Sequence, residues 1–439
     1  MYSENVYSYR DRMSFSGNSL RNNYVLGTDC ANPPRKLMLF DVAVAGHHAG
    51  YIRYLVRHWC DRELPGHLNV VVSPTFMVQH SDVVNIATRC DRKNIYFIPI
   101  SPEEENSLCS DNFRRDRIRR WFQEWQLICK YASSLEATHC LIMYFDFLKF
   151  PLAFGAIPPC SVSGIYFQPK FHYSELSNYV PSIKELLQQW RDKFILLRLV
   201  SNPHLKILFC LDPLAVNPIN KINSQVKAVY LPDPVQIPNN AEFDLATFKE
   251  NLGIHPDRQV FLLFGSLKRR KGIHQLLEAI LMLQPTLCQK LCLVLLGVPH
   301  PIEEKSIIES RIAEVCQSLP IQIIGKYDFI SEGDVYKYFL MADVVLATYQ
   351  RQVGASGILL LAAAARKPVL SSNYGLIGEQ VQRYGLGLTV DTTVPAQIAD
   401  GLTQLLLKSP SSFCDFTKMK SFVEDNSPEE FASIIFQYI

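Results

Sequence analysis

Two stretches in the second half of the chain combine residue types that could handle a phosphate group. Phe264 to Gly272 reads FGSLKRRKG: Gly265 closes an apolar run, Ser266 follows, and Arg269, Arg270 and Lys271 place positive charge just ahead of an apolar helical pattern. Val353 to Leu370 reads VGASGILLLAAAARKPVL, which sets the turn Gly354-Ala355-Ser356-Gly357 at the start of an apolar helix. Amides at a helix start receive anionic oxygens, and fixed cations stabilise a departing diphosphate more as its bond breaks. The plainer readings are a helix cap with Ser356 at the N-cap, and solvated loop charge for Arg269 and Arg270. For the turn, both can hold at once.

These motifs need elements to carry them. Short apolar runs at Leu37 to Ala45, Leu68 to Ser73, Ile95 to Ile100, Cys140 to Phe145, Gly164 to Phe167 and Ile207 to Leu211 predict strands, with helical stretches at Gln123 to Leu135 and Ser182 to Leu197. A second series of strands is expected at Gln259 to Phe264, Leu291 to Leu296, Ile321 to Ile324, Val344 to Ala347, Pro368 to Ser371 and Gly387 to Val390, alternating with helical patterns. Strands that are apolar throughout and alternate with helices predict parallel sheets covered on both faces. The fold class expected is α/β, two Rossmann-like domains facing a cleft. Residues 1–36, rich in Ser, Asn, Tyr and Arg, read as a flexible leader, 37–235 as the first domain and 236–420 as the second. Leu231-Pro232-Asp233-Pro234 reads as the hinge, and 421–439 as a helical segment returning to the first domain.

Composition narrows the class. The chain has 439 residues, 48% hydrophobic and 20% charged, and a formal net charge of +2, so a large core is available and nothing marks nucleic acid as the partner. Its 12 cysteines form no CxxC pair or Cys/His ladder, which suggests buried thiols, a reducing compartment and a cytoplasmic location. No apolar run approaches the ~20 residues that span a bilayer. There is no GxGxxG, so no nicotinamide or flavin fingerprint, and no DxD, a carboxylate pair that can hold a diphosphate through a divalent ion.

With Leu295 to Gly297 (LLG), Ile323 to Asp328 (IIGKYD) and Ser371 to Val381 (SSNYGLIGEQV), the two motifs resemble the donor-binding domain of the retaining, family-four-like GT-B glycosyltransferases, the glycosyl transferases group 1 type, over about residues 255 to 392. The resemblance implies a nucleotide diphosphate sugar as co-substrate, a hydroxyl acceptor, retention, and no metal or other cofactor. Its donor-binding residues would be Gly265, Ser266, Arg270, Lys271, Lys326, Tyr327, Gly354, Ala355, Ser356 and Gly357, with Lys271 also serving the leaving group. The arginine expected near the start of the family's GRLxxxKG-like pattern is Ser266 here, and its paired glutamates fall on Val353 and Leu361. The chain thus resembles a divergent branch lacking those carboxylates.

In the first domain the resemblance implies a flexible acceptor-side loop at Gly46, His47 and His48, and a histidine beside the transferred sugar at His172. Asp146, expected to end a strand facing the cleft, joins Lys271 and His172 as a catalytic candidate. Each has a bland alternative: a turn histidine bonded to backbone, a structural histidine, a capping aspartate. The segment 113–125 interleaves arginines with Trp121, Phe122 and Trp125; it reads as a peripheral membrane contact or as a solvated helix with inward aromatics. Two other functions stay open: a catalytically degenerate GT-B protein that binds nucleotide or a partner glycosyltransferase, and a nucleotide-sugar epimerase.

Overall fold

A computed structural model describes residues 35–44, 48–108, 114–169, 171–172, 181–222, 225–234, 237, 243–328, 330 and 332–439. Residues 1–34 of the proposed leader, and Gly46 and His47, lie outside them. Residues 35–439 form one compact unit holding two parallel sheets.

The first sheet has strands β1 (Lys36–Phe40), β2 (His67–Val72), β3 (Ile95–Pro99), β4 (His139–Ile142), β5 (Ser161–Tyr166), β6 (Leu205–Cys210) and β7 (Lys227–Tyr230) in the order β3-β2-β1-β4-β5-β6-β7. The second has β8 (Gln259–Phe264), β9 (Leu291–Leu296), β10 (Gln322–Lys326), β11 (Val344–Ala347), β12 (Val369–Ser372) and β13 (Gly387–Val390) in the order β10-β9-β8-β11-β12-β13. Every pairing is parallel. Parallel strands buried on both faces account for the continuous apolar runs: all six residues of LCLVLL in β9 are buried. Each sheet reverses its strand order beside its first strand, at β1/β4 and at β8/β11. The crevice past the carboxyl ends of strands at such a reversal is where open α/β sheets bind ligands.

Four apolar clusters cover the two faces of each sheet. The last helix, Pro428–Tyr438, packs on helix His48–Asp61, with Phe431 and Phe436 buried among residues of the first sheet. Ser427 caps it by accepting from Glu430 N. Several observed elements differ from those expected: the strand Leu37 to Ala45 ends at Phe40, the strand Gly164 to Phe167 is Ser161–Tyr166, and the helix Gln123 to Leu135 begins at Arg114. The expected strand Cys140 to Phe145 stops at Ile142 and the chain enters helix Phe145–Phe154, so Asp146 lies in a first helical turn rather than at a strand end. β7 is a strand the apolar pattern did not single out. No helix among the described residues is long and apolar enough to cross a membrane.

Candidate functional site

The loops that leave β8 and β11 are built against each other. After β8 the chain makes a tight turn over Arg269–Lys271 and continues through Gly272 at φ +75°. A Cβ at Gly272 would lie 2.0 Å from the Thr348 carbonyl oxygen, so only glycine lets this turn press against the β11 loop. Thr348 Oγ1 donates to Lys271 O at 2.9 Å, and Gln350 N donates to Arg270 O at 2.8 Å. The backbone around Lys271 is thereby fixed by the neighbouring strand's loop.

That placement sends the Lys271 side chain inward, where it is 7% exposed. Its Nζ donates to Phe264 O at 2.9 Å and to the Tyr349 hydroxyl at 2.7 Å, and stands 4.5 Å from the Tyr349 ring centroid. The same hydroxyl shares a 2.7 Å hydrogen bond with Ser356 Oγ. Lys271 and the turn Gly354 to Gly357, 83 positions apart at their nearest, are joined through one tyrosine. Burial, with Arg270 adding to it, pushes the Lys271 ammonium down to about 7 from an ordinary 10.5. An opposing anion would restore its charge.

Ser356 stands at the N-cap of helix Gly357–Ala364, but its side chain makes no capping hydrogen bond, because its hydroxyl is turned to Tyr349. The first turn of that helix therefore keeps its dipole and amides uncovered by any side-chain cap. A Cβ on Gly357 would meet only Asp233 Oδ2, at 3.9 Å, so the space in front of the helix is open.

This space belongs to a cavity of about 590 Å³ between the two sheets. Arg270, Tyr349, Arg351, Gln352 and the turn Val353 to Ser356 form one wall; Phe167, Gln168, Glu185, Gln188, Gln189, Leu211 and Asp233 form the other. Arg270 stacks over Tyr349 at 5.7 Å and is hydrogen-bonded to Gln352, whereas Arg269 turns away to Glu304, at 3.1 Å. The two arginines thus divide: Arg270 faces the cavity and Arg269 does not.

On the first-sheet side, His48 begins helix His48–Asp61 just past β1. Its Nδ1 lies 2.7 Å from Asp41 Oδ2 and its ring stacks on Tyr144, 5.6 Å away. Burial works to lower the imidazole pKa but is outweighed by the hydrogen bond and charge of Asp41, with Glu124 adding, so the net shift is upward. Glu124 itself is pushed up to about 7 by burial. Tyr144 stacks on Phe167 at 4.5 Å, Phe167 on Tyr51 at 5.9 Å, and the Tyr51 hydroxyl donates to Asp233 Oδ1 at 2.6 Å. A ladder of rings therefore runs from His48 to the hinge aspartate, whose pKa is raised by burial.

Asp146 spends both carboxylate oxygens on the backbone, accepting from Phe167 N at 2.8 Å and Gln168 N at 2.9 Å. It holds two cavity-lining residues in place. His172 is buried in a turn after β5, its Nε2 3.1 Å from Asp212 Oδ2, outside the cavity lining. Ser266 is exposed in the β8 turn, and Lys326 and Tyr327 lie at the end of the edge strand β10, Tyr327 beneath Lys305 at 5.6 Å; none of the three lines the cavity. Val353 lines it, and Leu361 packs into the second sheet's core. In the segment 113–125, Trp125 is buried and Trp121 stacks on Phe147, while Arg117, Arg119 and Arg120 are exposed.

Sequence reasoning did not single out Tyr349, Arg351, Gln352, Tyr51 or Asp41 as site residues. Their one local signal is position, since Tyr349 to Gln352 immediately follow a strand and precede the glycine turn. Asp233 was read only as hinge.

Residues 245–418 match the family model described as glycosyl transferases group 1. A search of curated proteins finds no match. Among solved structures, the chain is similar to sucrose-phosphate synthase from Thermosynechococcus elongatus, with 16% identity, TM-score 0.65, and coverage of 92% of this chain and 98% of that one. It is also similar to an alpha,alpha-trehalose-phosphate synthase (UDP-forming) from Burkholderia vietnamiensis, at 11% identity and TM-score 0.64, covering 92% and 96%. Anabaena HepE in complex with UDP and glucose aligns at 13% identity and TM-score 0.60, covering 92% and 98%. At these identities the structural likenesses establish the fold. Residues 245–418 thus carry a match to a glycosyl transferases group 1 domain, and the whole described chain has the two-sheet α/β fold of the GT-B structures it is similar to.

Proposed function

We propose that the chain transfers a sugar from a nucleoside diphosphate donor to a hydroxyl acceptor, with retention and without a metal ion. The observation that carries this reading is the Lys271–Tyr349–Ser356 chain, which ties a buried ammonium to the uncapped start of helix Gly357–Ala364 at the wall of the cavity. The donor's diphosphate is placed at the turn Gly354 to Gly357, whose amides receive its oxygens, with Lys271 and Arg270 supplying positive charge. As the sugar–phosphate bond breaks, charge grows on the leaving oxygen and these groups stabilise it more than they stabilise the ground state. The acceptor hydroxyl enters on the same face of the sugar and passes its proton to the departing phosphate, so no side-chain nucleophile is needed.

The cations at the turn support metal independence, since they can answer the diphosphate charge themselves. HepE's complex with UDP and glucose supports a nucleotide-sugar donor of this general kind. Asp146 acts in this scheme as a positioning residue for Phe167 and Gln168, and His172 with Asp212 as a brace for the segment after β5.

A second reading, a binding protein without turnover, is favoured by one observation: Val353 and Leu361 leave the family's two carboxylate positions apolar. A thermal-shift screen against nucleotide sugars finds the donor, because a ligand at 100 times its Kd stabilises the fold by ~2.7 kcal/mol. Release of nucleoside diphosphate from that donor in the presence of EDTA then supports turnover without metal. Binding without release supports the second reading, and activity abolished by EDTA and restored by manganese overturns metal independence.

A further inference from the structure

Helix Ile183–Val200 presents to solvent the kind of face that a globular protein buries. Ile183 (80% exposed), Leu187 (67%), Trp190 (75%), Phe194 (62%) and Leu197 (46%) follow at intervals of four, three, four and three residues. That spacing makes one straight stripe about 21 Å long. The stripe is not surplus core, because the opposite side of the helix, with Ile195, Leu196, Leu199 and Val200, already packs on the first sheet. An exposed apolar face of this size marks an interaction site.

The charges around the stripe say what it meets. Lys184, Arg191 and Arg198, seven residues apart, run along one flank, and Lys193 lies on the other. The helix's two acids are kept off this face: Glu185 closes a capping box with Ser182, and Asp192 is 3% exposed, with Arg191 at 3.0 Å and Lys149 at 3.4 Å. A second copy of the helix is a poor occupant. Antiparallel pairing would set Lys184 against Arg198 and Arg191 against itself, and parallel pairing would answer the cationic flank with Leu186 and Lys193.

We infer that this face docks on a bilayer surface bearing anionic lipid. The helix would lie in the interfacial plane, with Trp190 and Phe194 among the headgroups and the four cations against lipid phosphates. Its neighbours extend the same helical layer: helix Phe145–Phe154 packs against it and exposes Phe147 and Phe154, and helix Arg114–Ser134 beyond exposes Arg117, Arg119 and Arg120. The docked helix also lines the cavity through Glu185, Gln188 and Gln189, so docking brings the cavity beside the lipid. The inference does not depend on the proposed reaction.

The test is flotation of the full chain with vesicles of phosphatidylcholine alone or mixed with phosphatidylglycerol. The protein should float with the mixed vesicles, not with phosphatidylcholine alone, and binding should weaken as salt rises. Two variants, Trp190→Ser with Phe194→Ser, and Lys184→Gln with Lys193→Gln and Arg198→Gln, should each lower vesicle affinity at least tenfold while leaving the melting temperature and nucleoside diphosphate binding unchanged. Absence of binding to mixed vesicles, or binding that both variants retain, would overturn the inference. So would a dimer in gel filtration that the Trp190/Phe194 variant dissociates, since that would assign the stripe to a second copy.

Discussion

Replacing Lys271 by methionine keeps the aliphatic stem and removes the charge, and the structure sets the outcome. The folded chain holds this ammonium at a pKa of about 7, against 10.5 ordinarily. The unfolded chain therefore binds the proton more tightly, and stability rises with pH between the two values. Below about 7 both states are protonated and the desolvation penalty is fully present; above 10.5 both are neutral and it is gone. Integrating the proton difference from pH 7 to pH 9 gives wild type about 2 kcal/mol relative to Lys271→Met, whose side chain does not titrate. The assay is urea unfolding of both proteins at the two pH values, reading the change in their difference so that other groups cancel. At pH 7 the variant should be at least as stable as wild type even though Phe264 O and Tyr349 OH lose their partner, while binding of nucleoside diphosphate should fall sharply. A difference that stays constant with pH, or a variant that unfolds more readily at pH 7 than at pH 9 relative to wild type, would refute the picture of a buried cation held ready for an anion.

Other substitutions probe the rest of the cavity. Gly357→Val should keep the melting temperature and weaken nucleoside diphosphate binding, measured by calorimetry, because the new side chain projects into open space before the helix. Asp233→Asn should strengthen that binding, by about three- to tenfold, since a carboxylate facing the helix start opposes an incoming phosphate at a worth of about 1 kcal/mol. Asp146→Ala leaves the part-buried amide of Phe167 and the exposed amide of Gln168 without their acceptor, which should lower urea stability by about 1 kcal/mol.

The second sheet was more legible than the first. β8, β9, β11 and β13 coincide residue for residue with the apolar runs; β8, β9 and β11 are buried strands, which leaves little freedom in where they end, whereas β13 is a half-buried edge strand. β4 was read three residues too long because the apolar run Cys140 to Phe145 continues straight into helix Phe145–Phe154. β7 was missed because its four residues, Lys227–Tyr230, are half exposed and run into the hinge prolines. In the site, Lys271 and the glycine turn could be seen because each sits in a local motif. Tyr349, which joins them, could not: one tyrosine after a strand carries no sign that a lysine 78 positions earlier will fold back on it. Ser356 reads in the sequence as a donor-binding residue with a helix cap as the plainer alternative; it stands at the N-cap position, but the hydroxyl of Tyr349 draws its side chain away from the capping bond.

The most direct test of the account is nucleoside diphosphate release from a panel of nucleotide sugars with EDTA present, by wild type and by Lys271→Ala. The account expects release from at least one donor by wild type and a fall of about tenfold or more in the variant, with the fold intact. Release from no donor, or equal release by both proteins, would contradict it.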